Sequence, residues 1–342
     1  MRFADLRDRY GEFYAPAFSV RVGDREFRAA DGYLAGVEVD TALDGADYFS
    51  FTLSEPFDRG TGGGDLGWDL FAAGELVDVA MGYGTRLEPL VLGRIHSVRP
   101  EFPAGDAATV TVGGYGLLHD AMRGATSRSW DDRTDSDVVA EVASGYEFAE
   151  VDVEETGVRY RKIIQDAESD YRFLETLAER NGFELFARRD AFHFRAPRPD
   201  ADPVVTLRYG DSLRSFSPEA STATQVREVV VRHWDPTRKR EIVGTAERED
   251  GDAATGREVL RRPVESREEA ERVAEAALDR IADGLLRGRG EVVGLPDLRV
   301  GETLRLEGLG ERFTNNYYIT GVTHRIGSSG YWTSFDVQER TI

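Results

Sequence analysis

The run "GGGDLG" sets Gly62, Gly64 and Gly67 at the spacing G-x-G-x-x-G, which holds a pyrophosphate when it joins a strand to a helix. Here it follows the Pro- and Asp-bearing stretch "EPFDRGT", with no βαβ surroundings, so it reads as a flexible loop between strands. "DDRTDSD" gathers Asp131, Asp132, Asp135 and Asp137 but lacks the central glycine and closing glutamate of a calcium loop, and a helix start explains it better. The histidines His96, His119, His193, His233 and His324 are scattered, without an H-E-x-x-H pair. No G-x-S-x-G elbow is present, and with no cysteine there is neither a thiol nucleophile nor a thiolate metal site. Among 63 acidic residues any chosen carboxylate pair is arbitrary. These residues lead to no catalytic, cofactor-binding or metal assignment, and the expectation is a protein that is not an enzyme and carries no cofactor.

The elements that frame these residues are mostly strands. "FSVRVGDREF" puts Phe18, Val20 and Val22 on one face, turns at Gly23 and Asp24, and returns through Phe27. "DYFSFTL", "ATVTVGGY", "VVTLRYG" and "VREVVVRHW" alternate in the same way. Helical spacing interrupts three times. In "DSDVVAEVASG", Asp135 is a candidate cap, Val138, Val139 and Val142 share a side, and Gly145 is a stop. In "QDAESDYRFLETLAERNGF", Ser169 caps, Tyr171, Leu174, Leu177 and Ala178 form the stripe, and Gly182 terminates. The hairpin "FELFARRDAFHF" follows, with Phe183, Leu185 and Ala187 on one strand and Phe192 and Phe194 on the return. From Ser266, with Glu269 placed for a capping box, a third stripe runs through Ala270, Val273, Ala277, Leu278, Ile281 and Leu285.

Charge excludes several functions. Against 63 acids stand 43 basic residues, for a net charge of -20, and only Lys162 and Lys239 are lysines. Such a surface repels itself in dilute salt, whereas near 1 M salt the screening length falls to about 3 Å, so adaptation to a salt-rich cytoplasm is expected. The charge also opposes a duplex-binding face, which needs clustered Lys and Arg. "RYRK" and "PTRKRE" are short and flanked by acids. The apolar runs fall short of the roughly 20 residues needed to cross a bilayer, and the start "MRFADLRDRYGEFYAPAF" lacks a signal-peptide core, so no membrane insertion is expected.

The strongest pattern is an internal repeat. "GELVDVAMGYGTRLEPLVLGRIHSV" and "GETLRLEGLGERFTNNYYITGVTHRI" open on Gly74 or Gly301, followed by Glu75 or Glu302. A strand then leads to Gly84 or Gly310, and a second reaches Gly93 and His96, or Gly321 and His324. This alignment makes His96 and His324 equivalent and suggests a shared structural hydrogen bond. The Tyr317 and Tyr318 pair suits either an interface or the core. Two related units per chain carry a geometric consequence: three chains about a three-fold axis present six similar units, so a trimer can meet a six-fold partner.

The expected fold is mainly β with α/β insertions (α+β): two related tube-like β-barrels with an α/β module and a helical insert. The expected boundaries are 1–118 for the first barrel, 119–203 for the helix-on-hairpin module, 204–244 with 291–342 for the second barrel, and 245–290 for the helical insertion.

"QDAESDYRFLETLAERNGFEL", "VVVRHWDPTRKREIVGTA" and "GLPDLRVGETLRLEGLGERFTNNYYITGVTHRI", in that order, resemble the baseplate hub of contractile phage tails and injection systems. This is the late control D family, which is similar to the N-terminal hub part of VgrG proteins. The resemblance spans nearly the whole chain, from "LSEPFD" and "LGRIHSV" onward. It implies a homotrimer adapting a hexameric inner tube protein to a trimeric spike protein among other baseplate components. Assembly would take place in the cytoplasm, into a virion baseplate or a released particle. Since the chain stops at Ile342, where VgrG proteins continue, the spike is expected to be a separate polypeptide. A rival reading is a tail-tip cell-wall or polysaccharide hydrolase, which needs a catalytic domain with its own cleft. A third is a receptor-binding or nucleic-acid-channel protein, whose acidic lumen would let a polyanion pass without adhering.

Overall fold

A computed structural model of the chain describes residues 3–32, 34–55, 71–104, 108–221, 226–236, 238–248, 256–282 and 286–339. The glycines of "GGGDLG" and Leu285 lie outside the described residues. After a short helix, α1 (Phe3–Arg9), come β1 (Pro16–Val22), β2 (Arg25–Arg28), β3 (Leu34–Ala42), β4 (Tyr48–Glu55), β5 (Leu76–Tyr83), β6 (Arg86–Glu101) and β7 (Ala108–Gly116). A middle section holds β8 (Thr126–Thr134), α2 (Asp135–Ala143), β9 (Glu150–Val153), β10 (Arg159–Glu168), α3 (Asp170–Asn181), β11 (Glu184–Arg188) and β12 (Ala191–Arg195). The last part contains β13 (Thr206–Arg208), β14 (Leu213–Ala220), β15 (Glu228–Asp235), β16 (Arg240–Glu247), β17 (Arg257–Arg261) and α4 (Arg267–Ala282). It ends with β18 (Leu286–Val293), β19 (Thr303–Glu307), β20 (Asn316–Gly327) and β21 (Gly330–Gln338).

The fold is mainly antiparallel β with α/β insertions, as the alternation predicts. One thirteen-stranded sheet runs β14-β18-β21-β20-β3-β4-β7-β6-β5-β1-β2, with β13 and β19 attached beside β20. Its two halves repeat each other: β1, β3, β4, β5, β6 and β7 recur in chain order as β13, β14, β18, β19, β20 and β21, with the same neighbours. The registers repeat as well. β3 slips against β4 between Leu34 and Gly36, and β14 slips against β18 between Leu213 and Ser215. β6 slips against β7 between Ile95 and Ser97, and β20 slips against β21 between Ile319 and Gly321. Bulges are local kinks that re-aim a strand, so their recurrence at matching places marks duplication of the whole unit. Differences remain: β1 pairs antiparallel with β5, whereas β13 pairs parallel with β19; β2, paired with β1, has no counterpart beside β13 among the described residues; and the slip of β5 against β6 between Val79 and Ala80 is not repeated between β19 and β20.

Two expectations are corrected by these pairings. The barrels are not closed by strand pairing among the described residues, because β3 of the first half pairs with β20 of the second and joins them in one open sheet. The repeat is real, but its letters slide. Gly74 N–H bonds Ile95 O at 2.8 Å and Gly301 N–H bonds Ile319 O at 2.9 Å, so Ile95 matches Ile319 and bulged His96 matches Thr320, not His324. Glycines at turns drew the letters into alignment; the strand between them differs in length.

The core of the large sheet includes Val20, Val39, Phe49, Phe51, Val79, Val112, Leu304, Tyr317, Ile319 and Phe335. Beside it stands the helix-on-hairpin module. Ser169 Oγ accepts from Arg172 N–H at 3.3 Å, and Gly182 closes α3 with φ 67°, a left-handed turn that suits glycine. Phe173, Leu174, Leu177 and Ala178 pack on Leu185, Ala187, Phe192 and Phe194. Phe173 is in this stripe, whereas Tyr171 is half-buried at its margin. For α2 the cap is Thr134, paired reciprocally with Asp137, and not Asp135. Residues 204–244 divide: β13 and β14 join the large sheet, whereas β15 pairs with β16 and with β17 under α4. Val229, Val231, Ile242, Ala270, Val273, Ala274 and Leu278 form that separate core, so the strands beyond Arg227 belong with the helix that covers them.

Candidate assembly interface

The junction between the halves carries paired polar side chains along its length. Along β3 and β20, Val37 faces Ile326, Glu38 faces Arg325, Val39 faces His324, Asp40 faces Thr323 and Thr41 faces Val322. Alternation sends Val37, Val39, Val322 and Ile326 into the core and leaves their neighbours on the opposite face. There Thr323 Oγ1 donates to Asp40 Oδ1 at 3.0 Å, and Arg325 contacts Glu38 at 2.8 Å. The same face carries Ser50, Thr52, Thr111 and Ser334 on neighbouring strands, with the Thr52 and Thr111 hydroxyls 3.2 Å apart. Short hydroxyl side chains and interspersed charges of both signs make a largely polar surface continuous across both halves, in which Tyr48, Tyr115 and Trp332 are the aromatic members. Asp336 and Glu291 lie there with Arg289, so the face is mixed rather than uniformly acidic.

Behind the junction His324 is buried at 1% exposure. Its Nε2 lies 3.3 Å from Leu298 O, which only accepts, so Nε2 carries the proton and Nδ1 accepts from the Thr333 and Tyr331 hydroxyls, each 3.0 Å away. Burial, with Arg299 nearby, lowers the His324 pKa to about 3. His96, half-buried, instead meets the rings of Tyr115 and His119. The shared hydrogen bond expected of the two histidines is therefore absent, because they occupy different rungs of the repeat. Asp47, before β4, is wholly buried, and desolvation pushes its pKa up to about 8 despite a hydrogen bond to the Ala42 backbone.

The middle module is tied to the sheet by polar contacts that periodicity did not reveal. Gly45 N–H, in the β3–β4 connection, donates to the Tyr171 hydroxyl at 2.9 Å. Tyr318 OH donates to Glu184 Oε2 at 2.7 Å, and Arg195 donates to Gly301 O at 2.9 Å. Both tyrosines of "NNYYITG" are thus core residues. The acids of "DDRTDSD" also find local work: Asp135 accepts from Arg180 and from Asn181 at 2.7 Å, Asp137 accepts from Thr134 N–H at 3.1 Å, and Asp131 pairs with Lys162 at 3.6 Å. A cavity of 830 Å³ opens between α3, α4 and β21, where Asp44, Glu175, Glu179, Asp279 and Asp336 face Arg280 and Arg287. Burial and the neighbouring Glu179 raise the Glu175 carboxyl above its ordinary range.

The family model described as the Alg8 N-terminal domain matches residues 67–328, more than half of the chain and both repeats. The chain belongs to the Alg8 N-terminal domain family. Among curated proteins none matches it. Solved structures share the Alg8-family fold found here. The tail protein from Neisseria meningitidis MC58 is 17% identical with a TM-score of 0.76, covering 95% of this chain and 97% of that one. The 43 kDa tail protein of prophage MuSo2 from Shewanella oneidensis is 14% identical with a TM-score of 0.76, covering 94% and 98%. An E. coli component of the type VI secretion system, described as similar to the T4 bacteriophage tail proteins gp27 and gp5, is 13% identical with a TM-score of 0.64, covering 94% and 79%. The fold of this Alg8-family chain is therefore that of phage tail and type VI secretion proteins. Among the described residues no helix is long and apolar enough to cross a membrane.

Proposed function

We propose that the chain is the structural hub of a contractile tail or injection particle, a homotrimer that adapts a six-fold inner tube to a three-fold spike and catalyses no reaction. The observation that carries this reading is the duplicated sheet: equivalent halves with matched bulges make three chains into six similar tube domains. The polar face over β3, β4, β7, β20 and β21 suits the wall of a lumen through which cargo moves, and the helix-bearing modules then stand outside the ring. The likeness to phage tail and type VI secretion folds supports the same reading, as does the late control D resemblance of the sequence. Assembly takes place in the cytoplasm with other baseplate proteins, in a salt-rich cell. Mass measurement in solution over low to multimolar salt is the test. A trimer, alone or with the spike, is expected; a monomer at every salt concentration overturns the proposal.

A further inference from the structure

The duplication lets the seam inside the chain be copied outward. β3 lies along β20 within one chain; its counterpart β14 pairs among the described residues with β18 and, at Leu213, by a single bridge with Tyr209, and the counterpart of the docked part of β20 is Ser97 to Glu101 at the exposed end of β6. The matched registers fix which residues would meet. Val37 corresponds to Phe216, Val39 to Pro218 and Asp40 to Glu219, from the shared slips of β3 and β14. Thr323 corresponds to Arg99, His324 to Pro100 and Ile326 to Phe102, from the shared slips of β6 and β20. Between copies, therefore, Arg99 faces Glu219, Pro100 faces Pro218 and Phe102 faces Phe216. The first pair replaces the Thr323 to Asp40 hydrogen bond by an ion pair, and the last repeats the apolar Ile326 to Val37 contact. Phe102 is 59% exposed in the single chain.

The middle pair departs from the internal pattern. Leu43 N–H bonds Thr320 O, which places Val39 and His324 on a rung that exchanges backbone hydrogen bonds. Proline has no N–H, and its ring would press on the facing carbonyl, so two opposed prolines abolish that rung. On the reading that the chain forms a trimeric ring, we infer that β14 of one copy lies along Ser97 to Phe102 of the next, in the register of the internal seam but held by side chains instead of a continuous backbone ladder. The six seams of the ring are then of two kinds, alternating between laddered and proline-broken. The same prolines keep the open edges of an unassembled chain from recruiting strands at random.

The absence of cysteine makes the test direct. In the full-length chain carrying Arg99→Cys with Glu219→Cys, mild oxidation should link copies into a product of three chains on a non-reducing gel, while either single variant should give at most a dimer. A trimer by mass that does not cross-link overturns the seam and leaves the hub reading standing; a chain that stays monomeric at all salt concentrations overturns both. A second pair, Pro100→Val with Pro218→Val, restores two backbone donors and should lengthen the lifetime of the trimer at least about tenfold. An unchanged lifetime overturns the proline-broken seam.

Discussion

At the scale of single residues, the buried titratable groups set opposing pH dependences. His324, with its pKa lowered to about 3, binds no proton in the folded chain at pH 5, whereas an unfolded histidine of ordinary pKa 6.5 does. Its contribution is lost as pH falls from about 6.5 toward 3. Asp47 runs the other way: the folded chain keeps its proton up to about 8, the unfolded chain loses it near 3.8, and stability is lost as pH rises across that window. The two slopes cancel between about 4 and 6.5, so this pair produces a plateau with a decline of about 1.4 kcal/mol per pH unit on either side. Denaturant titrations of wild type and Asp47→Asn from pH 6 to 9 check this, with the variant expected to lose the alkaline decline. Asp135 offers a second case. Its side chain is fully buried and accepts from Arg180, so Asp135→Ala strands a guanidinium and should cost about 3–5 kcal/mol in a denaturant midpoint. An effect below about 1 kcal/mol would mean that solvent reaches Arg180 easily.

Among the elements, α3 was the most legible, because its cap, stripe and stop lie within one short run and need no distant partner. Leu174 is 1% exposed beneath it. Leu174→Glu places an unpaired charge in that core and should remove the cooperative unfolding of the middle module, as seen by loss of amide protection in α3 and in β11 with β12. Protection equal to wild type would mean that the stripe is not packed. The pairings of β8 with β10 and of β9 with β12 went unread, because "TSRSWDDRT" has weak alternation and "EVDV" carries little apolar signal on its own. The allotment of β15 and β16 to α4 was equally hidden, since strands alternate in the same way whichever sheet receives them.

For the whole molecule, charge is the dominant variable. The chain pairs many arginines with acids across its surface, as in Arg208 with Glu307 at 2.7 Å, but such exposed pairs each contribute little and are screened together with the repulsion. The uncompensated charge of -20 therefore decides the sign, and raising salt from 0.05 to 2 M, which shortens the screening length about sixfold, should raise the melting temperature. Calorimetry across that range checks it, and a flat or falling melting temperature removes the salt-adapted reading. At this scale the duplication was visible in turn glycines, whereas its register was not.

The sequence by itself determined the predominance of strands, the capped helices, the acidic surface and the presence of two kindred halves. These depend on side-chain period and on glycine at left-handed turns such as Gly74 and Gly301, which are local properties. Only the tertiary structure decided that β3 crosses to β20, that His96 matches Thr320, and that Asp135 serves Arg180 in place of a cap. Each of these depends on which distant backbone fills an open strand edge or which buried charge meets its opposite, and those energies belong to pairs of segments.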